Sequence, residues 1–174
     1  MSSNIELHCF ELQEEWDTAF LGRMLDAYQG LGRPVIIDPF AIFDILHVSF
    51  SLMHAARSLF RNRSRARDPA VEVIRCLAGA HQISSSMDMI CPSVGSRNVL
   101  VLVLPDDWPE EKDGKDVHDL SVNGSPPRIS GLDDLENIPF GGRNALERYG
   151  LEDSGSKDMN RKMILEHVSA IEWD

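Results

Sequence analysis

Apolar and polar residues along the chain predict short strands that alternate with amphipathic helices. Residues 5–10 alternate as a strand with one buried face does, and residues 14–28 carry apolar side chains three and four positions apart. The β-branched run 35–37 predicts a second strand. Residues 99–104 are six consecutive apolar residues, which is typical of a central strand buried on both faces.

The longest apolar stripe lies between Phe40 and Phe60. Asp38 and Pro39 precede it as a cap and a first-turn proline, so the sequence predicts one long helix that begins at this pair. The stripe contains Ile42, Ile45, Leu46, Ser49, Met53, Ala56 and Phe60, and it is widened by Phe43, Phe50, Leu52 and Leu59. We interpret this helix as the main core element, and a second face for a partner remains the alternative.

Further cap and breaker signals divide the rest of the chain. Asp68 and Pro69 predict a helix that ends near Ala78, and the pattern of residues 84–90 predicts a short one. Residues 144–149 read as a helical turn that ends at Gly150, and residues 157–171 read as a final helix. Residues 117–122 read as a short helix or strand, and an edge strand is predicted around residues 128–130.

These elements predict an α+β fold in one domain over residues 1–174. We expect a small mixed sheet of about four strands, packed with several helices. Residues 106–116 are acidic and interrupted by Pro109 and Gly114, so they are expected to form a mobile surface loop. The Gly141-Gly142-Arg143 segment is interpreted as a plain turn rather than an anion-binding loop, because no strong strand precedes it.

Charge and cysteine content narrow the class of protein. The formal net charge of −11 disfavours a surface that grips nucleic acid throughout. Three cysteines without CxxC spacing disfavour a secreted disulfide framework, so we expect a location in cytoplasm and nucleus. No apolar run approaches the roughly 20 residues of a membrane helix, so no membrane partner is expected.

No sequence pattern predicts a reaction centre. The chain has no phosphate-binding glycine loop, no zinc-protease motif and no nucleophile elbow. His47 and His54 would lie about 10 Å apart on a helix, too far to share one metal ion. We therefore predict no catalytic residue, no metal site and no cofactor from the motifs, and the expectation that the protein is not an enzyme comes only from the family resemblance given below.

Five arginines lie between positions 57 and 67 of this acidic chain. One interpretation is a solvated turn with cations near the end of a helix. The other is a site for phosphate or an acidic partner.

Several segments, taken in order, resemble the family of kinase-binding subunits of the KEOPS/EKC complex, the TPRKB-like proteins. The run 35–40 before an apolar helix is similar to that family's strand and long helix, and Arg67 and Glu72 match its arginine-to-glutamate spacing. Residues 77–84 resemble its next junction, and residues 146–151 resemble its closing segment. Residues 89–92 and the acidic insert depart from its pattern.

This resemblance implies a non-catalytic regulatory subunit. Its relatives bind a small atypical kinase/ATPase, which in turn binds the threonylcarbamoyl transferase that makes threonylcarbamoyladenosine in tRNA. We place the kinase-binding face on the last helix, at Met163, Ile164, Val168 and Ile171, and a tRNA contact at Arg61, Arg63, Arg65 and Arg67. The rival hypotheses are a small-ligand-binding or enzymatic α/β domain with a site at the strand ends near Asp38 and Pro105, and a stand-alone RNA-binding module.

Overall fold

The computed structural model describes residues 4–115, 120 and 126–171. Its strands are β1 (Glu6–Leu12), β2 (Arg33–Ile37), β3 (Asn98–Leu104) and β4 (Leu132–Asp134). They form a four-stranded sheet in the order β2-β3-β1-β4. The predicted α+β class is confirmed, but every described strand pair is antiparallel, so the expectation of a mixed sheet was wrong.

The described helices are α1 (Thr18–Ala27), α2 (Ile45–Phe60), α3 (Pro69–Ala78), α4 (Ile83–Ile90) and α5 (Lys157–Ala170). Three 3-10 segments accompany them, at Pro39–Ala41, Glu111–Gly114 and Gly142–Tyr149. Within the described ranges, none of these helices has the length and apolar character needed to cross a bilayer.

The sheet is covered on both faces. Val99, Val101 and Val103 of β3 pack with α1 in one apolar cluster. Leu100, Leu102 and Leu104 point to the opposite face, into a larger cluster with residues of α2, α3 and α5. Because successive side chains of a strand alternate between faces, a strand covered on both sides needs apolar residues at every position. This accounts for the uninterrupted apolar run of β3.

The long helix begins later than its cap signal predicts. The Asp38 carboxylate accepts a 3.0 Å hydrogen bond from Phe40 N–H, but it caps only the short 3-10 turn. Ile42 is extended, and its carbonyl accepts a 2.9 Å hydrogen bond from Gly141 N–H rather than one from within a helix. Asp44 is the actual cap of α2, since its carboxylate accepts from the N–H groups of Leu46 and His47.

Two segments of lower regularity also differ from prediction. The edge strand lies at Leu132–Asp134 rather than at residues 128–130. Residues 111–114 of the expected mobile loop form a 3-10 turn on α2, where Arg57 Nε donates to the Gly114 carbonyl at 3.0 Å. The prediction for residues 117–122 falls mostly outside the described residues.

Helix α3 matches its prediction closely. Asp68 accepts from Ala70 N–H at 2.7 Å, and Pro69 occupies the first turn. Gly79 ends the helix with φ +59°, a conformation in which glycine carries no steric penalty. A Cβ atom there would also collide with the ring of His167 on α5. The glycine therefore allows α5 to pack closely on the end of α3.

Candidate functional surfaces

The arginine turn, defined as residues 61–67, connects α2 to the cap of α3. Arg63 N–H donates to the Ser58 carbonyl at 2.9 Å, and Asn62 adopts a positive φ of 53°. Ala66 is buried, and its N–H donates to Glu72 Oε2 at 3.3 Å. The backbone of the turn is therefore held at both ends while Arg61, Arg63, Arg65 and Arg67 are exposed.

These four arginines have no ion pair with any residue that the structure describes. By contrast, Arg148 pairs with Asp38 at 2.6 Å, and Arg161 pairs with Asp44 at 2.6 Å. A protein with 28 acidic residues and 17 basic ones thus concentrates four unpaired cations in one turn. The turn is therefore locally positive on a protein whose net charge is negative.

A buried ion pair supports the turn. Glu72 is fully buried and binds Arg75 in a bidentate manner, with Oε1 to Nη2 at 2.6 Å and Oε2 to Nε at 3.0 Å. Burial is the largest single influence and lowers the pKa of Arg75, but hydrogen bonding to Glu72 and electrostatic interactions with Cys76 and Glu72 together raise it overall, so the guanidinium stays charged. Since the same Glu72 carboxylate accepts from Ala66 N–H, the pair also fixes the backbone of the arginine turn.

The predicted kinase-binding stripe on α5 is in the chain's own core. Ile164 and Val168 are fully buried, Ile171 is nearly so, and Met163 is half-buried. Arg161 anchors the start of α5 to the cap of α2, and His167 Nε2 lies 3.2 Å from the Ala78 carbonyl. Ile164, Val168 and Ile171 therefore pack inside the described fold. Amphipathicity identifies an apolar face, but it does not show whether the chain itself or a partner covers that face.

Helix α4 instead presents apolar side chains to solvent. Ile83 and Met87 lie one helical turn apart, and each is 39% exposed. Met87 Sδ lies 3.8 Å from Cys91 Sγ, which continues the line of these two residues. We call Ile83 and Met87 the α4 patch. The spacing of this apolar pair, at positions i and i+4, is the signal in the sequence that indicates it.

The strand-end site of the rival hypothesis does not form. Ile37, at the end of β2, pairs with Leu100, whereas Leu104 pairs with Arg33 at the other end. Because the strands are antiparallel, Asp38 and Pro105 lie at opposite ends of the β2–β3 pair. The Asp38 carboxylate is buried and already accepts from Phe40 N–H and from Arg148 Nη2.

His47, Cys9 and Cys91 lie in environments that favour their neutral forms. His47 Nδ1 accepts from Phe43 N–H at 3.2 Å and Nε2 donates to the Leu77 carbonyl at 3.0 Å, which fixes the neutral ring. Burial lowers the pKa of His47 to about 4. Burial also raises the pKa of Cys9 to about 12 and that of Cys91 to about 11, so both thiols are protonated at neutral pH.

Within the described ranges, no three His, Cys, Asp or Glu side chains are grouped as a metal site would require. Burial is the largest cause of the shifted pKa values of His47, Cys9 and Cys91. The fold is an α+β domain, and its described surface includes an exposed cationic turn and an exposed apolar helix face.

The family comparison gives the class of the protein. The family model described as "Kinase binding protein CGI-121" matches residues 19–139, which is more than half of the chain. The chain belongs to this family, and the resemblance to kinase-binding subunits is confirmed. No curated protein gives a significant match. The matched segment includes the arginine turn and the α4 patch but not α5.

Proposed function

We propose that this chain is a non-catalytic regulatory subunit of a KEOPS/EKC complex. In this role it binds the small atypical kinase/ATPase subunit, contacts the threonylcarbamoyl transferase only indirectly, and supports threonylcarbamoyladenosine modification of tRNA. The family match over residues 19–139 is the observation that carries the proposal. The assembly and its tRNA chemistry rest on the resemblance of residues 35–40, 67–72 and 77–84.

We further propose the α4 patch as the surface that docks on the kinase. Ile83 and Met87 are accessible without unfolding, whereas Ile164 and Val168 are not. The patch lies inside the family-matched segment. Apolar side chains at positions i and i+4 of one helix can enter a hydrophobic groove of a partner together. Residues 84 and 85 between them are serines, so these positions carry no charge that would have to be desolvated at the interface.

The tRNA contact is proposed at Arg61, Arg63, Arg65 and Arg67. Exposed cations without carboxylate partners can exchange small counterions for phosphates, and the released counterions favour binding. The formal net charge of −11 disfavours binding of a polyanion by the protein surface as a whole, so the proposed contact is local to the turn. A local contact of this kind adds to the binding of an assembled complex rather than replacing it.

Co-purification tests the proposal. A tagged version of the chain, expressed in its native cells at endogenous level, should capture a small atypical kinase, and the transferase should appear in the same eluate. Deletion of the gene should lower threonylcarbamoyladenosine in tRNA hydrolysates measured by mass spectrometry. An eluate without any such kinase, together with unchanged modification, would overturn the assignment.

Two further expectations belong to the same proposal. The chain should be found in both cytoplasm and nucleus when a fluorescent fusion is imaged. Native mass spectrometry of the purified chain should give the mass of the polypeptide alone. A stoichiometric small molecule in that spectrum would favour the rival, a ligand-binding or enzymatic domain.

A further inference from the structure

Ser64 lies at the centre of the arginine turn. The local sequence Arg61-Asn62-Arg63-Ser64-Arg65-Ala66-Arg67 places arginine three and one residues before the serine, and again one and three residues after it. No other serine in the sequence has arginine at both of the preceding positions. The function proposed above uses the arginines but gives no role to the serine between them.

The geometry around Ser64 leaves it available to an enzyme. Residues 63 and 64 belong to no helix or strand, and Ser64 is partly exposed. Its hydroxyl makes no hydrogen bond to any residue that the structure describes. The anchors of the turn are backbone groups on either side of it, at Arg63 and Ala66. A modification of the side chain therefore breaks no contact that holds the fold.

We propose that Ser64 is a phosphorylation site for a basophilic serine/threonine kinase. Such kinases select their substrates by the charge pattern around the acceptor, and arginine before the serine complements acidic groups of the enzyme. The Ser64 oxygen attacks the γ-phosphorus of ATP, the bond to the β-phosphate oxygen breaks, ADP leaves, and the hydroxyl proton is lost to the kinase's base. The product is a phosphoserine flanked by four guanidinium groups.

The phosphate is a switch for the arginine turn. It adds a charge of about −1.5 to −2 and three strong acceptor oxygens, which neighbouring guanidinium groups would bind. About half of the positive charge of the turn would be neutralised from within the chain. The consequence for RNA rests on the proposed tRNA contact, whereas the modification itself does not.

The first experiment measures the modification. The full chain is incubated with ATP and the purified catalytic subunit of a basophilic protein kinase, and intact-mass and peptide mass spectrometry locate the phosphate. One phosphate should be found, at Ser64. Ser64→Ala should abolish labelling, Arg61→Gln should slow it by roughly tenfold because it removes a recognition charge, and Ser85→Ala, at an exposed serine without preceding arginines, should have no effect.

Phosphorylation of the folded chain is compared with that of a peptide of residues 57–70, which shows whether the fold leaves Ser64 accessible. If the peptide is phosphorylated at Ser64 while the folded chain is not, the turn hides the serine and the proposal is wrong. Labelling that falls on other serines, or that is unaffected by Arg61→Gln, would contradict it equally. None of these results depends on whether the chain belongs to a KEOPS/EKC complex.

The second experiment measures the switch. Complexes reconstituted with the phosphorylated or the unmodified chain are compared for binding to tRNA at about 0.1 M salt, with Ser64→Ala treated in the same way. Removal of about two cationic charges should weaken binding roughly tenfold or more. Equal affinity of the two complexes would refute the switch. Weaker tRNA binding by complexes with substitutions at Arg61, Arg63, Arg65 and Arg67 would locate the contact itself.

Discussion

The carboxylate of Glu72 and the guanidinium of Arg75 form a buried bidentate ion pair, with a shortest distance of 2.6 Å. The same carboxylate accepts from Ala66 N–H, which ties the arginine turn to the first turns of α3. One internal contact thus links the core of the protein to its most cationic surface. A substitution that breaks the pair should change both the stability of the protein and the conformation of the arginine turn.

Glu72→Ala tests that link. The variant leaves Arg75 buried without its partner and Ala66 N–H without an acceptor, so the free energy of unfolding should fall by about 3–5 kcal/mol. Chemical denaturation measures this loss. The control Glu147→Ala changes an exposed acidic residue and should cost less than about 0.5 kcal/mol. A Glu72→Ala variant as stable as the wild type would contradict the ion pair described here.

Shortening a buried side chain of α5 tests whether the apolar stripe of this helix lies in the core. Ile164 is fully buried, so Ile164→Ala should lower the free energy of unfolding by about 2–5 kcal/mol. Met159→Ala removes an exposed side chain of the same helix and should change it little. If Ile164→Ala kept the thermal stability of the wild type but lost kinase binding, the α5 stripe would be a partner-binding surface and not part of the core.

The neutral His47 ring predicts a specific acid sensitivity. Its pKa is about 4 in the fold against 6.5 for an ordinary histidine, so below pH 6.5 the unfolded chain binds a proton that the folded chain does not. The stability that the neutral His47 ring contributes is therefore present above pH 6.5 and is lost as the pH falls toward 4. Between pH 7 and 5 it should amount to about 2 kcal/mol.

His47→Gln provides the matching measurement. The free energy of unfolding of this variant should be lower than that of the wild type at pH 7, because glutamine cannot reproduce both ring contacts. Between pH 7 and 5, the free energy of unfolding should fall by about 2 kcal/mol less in the variant than in the wild type, since the variant has no imidazole at this position to titrate. Parallel pH curves for the two proteins would show that His47 does not titrate in this way.

Salt dependence tests the arginine turn. Each phosphate contact contributes about 0.7 to the slope of log affinity against log salt for single-stranded nucleic acid. Replacement of Arg61, Arg63, Arg65 and Arg67 by glutamine should therefore weaken tRNA binding of the reconstituted complex and flatten this slope. Glutamine at Lys112, Lys115 and Lys162, which already pair with carboxylates, is the control that should change the slope little.

Elements with strong local patterns were predictable from the sequence. The uninterrupted run of β3 and the Asp68-Pro69 cap of α3 each depend on neighbouring residues alone. The start of α2 was not predictable, because Asp38 and Pro39 carry a valid cap signal that the contact of Gly141 with the Ile42 carbonyl limits to one short turn. That contact joins residues far apart in sequence.

The surfaces were predictable only in part. The exposed arginines follow from their density of charge, which favours solvent. The stripe of α5 and the α4 patch have similar apolar spacing, and their burial differs only because α5 packs on α2 and α3 while Ile83 and Met87 face outward. Periodicity identifies an apolar face, and only the tertiary structure shows whether the chain itself covers it.

Binding to the kinase is the central claim, and isothermal titration calorimetry with the purified kinase/ATPase subunit tests it most directly. The wild type should bind in one-to-one stoichiometry. The double variant Ile83→Glu with Met87→Glu should lose at least about tenfold in affinity while it keeps its melting temperature, because both side chains are solvent-exposed in the free chain. Met159→Glu, which is 49% exposed outside the family-matched segment, should bind as the wild type does. The absence of binding by the folded wild-type chain would contradict the account.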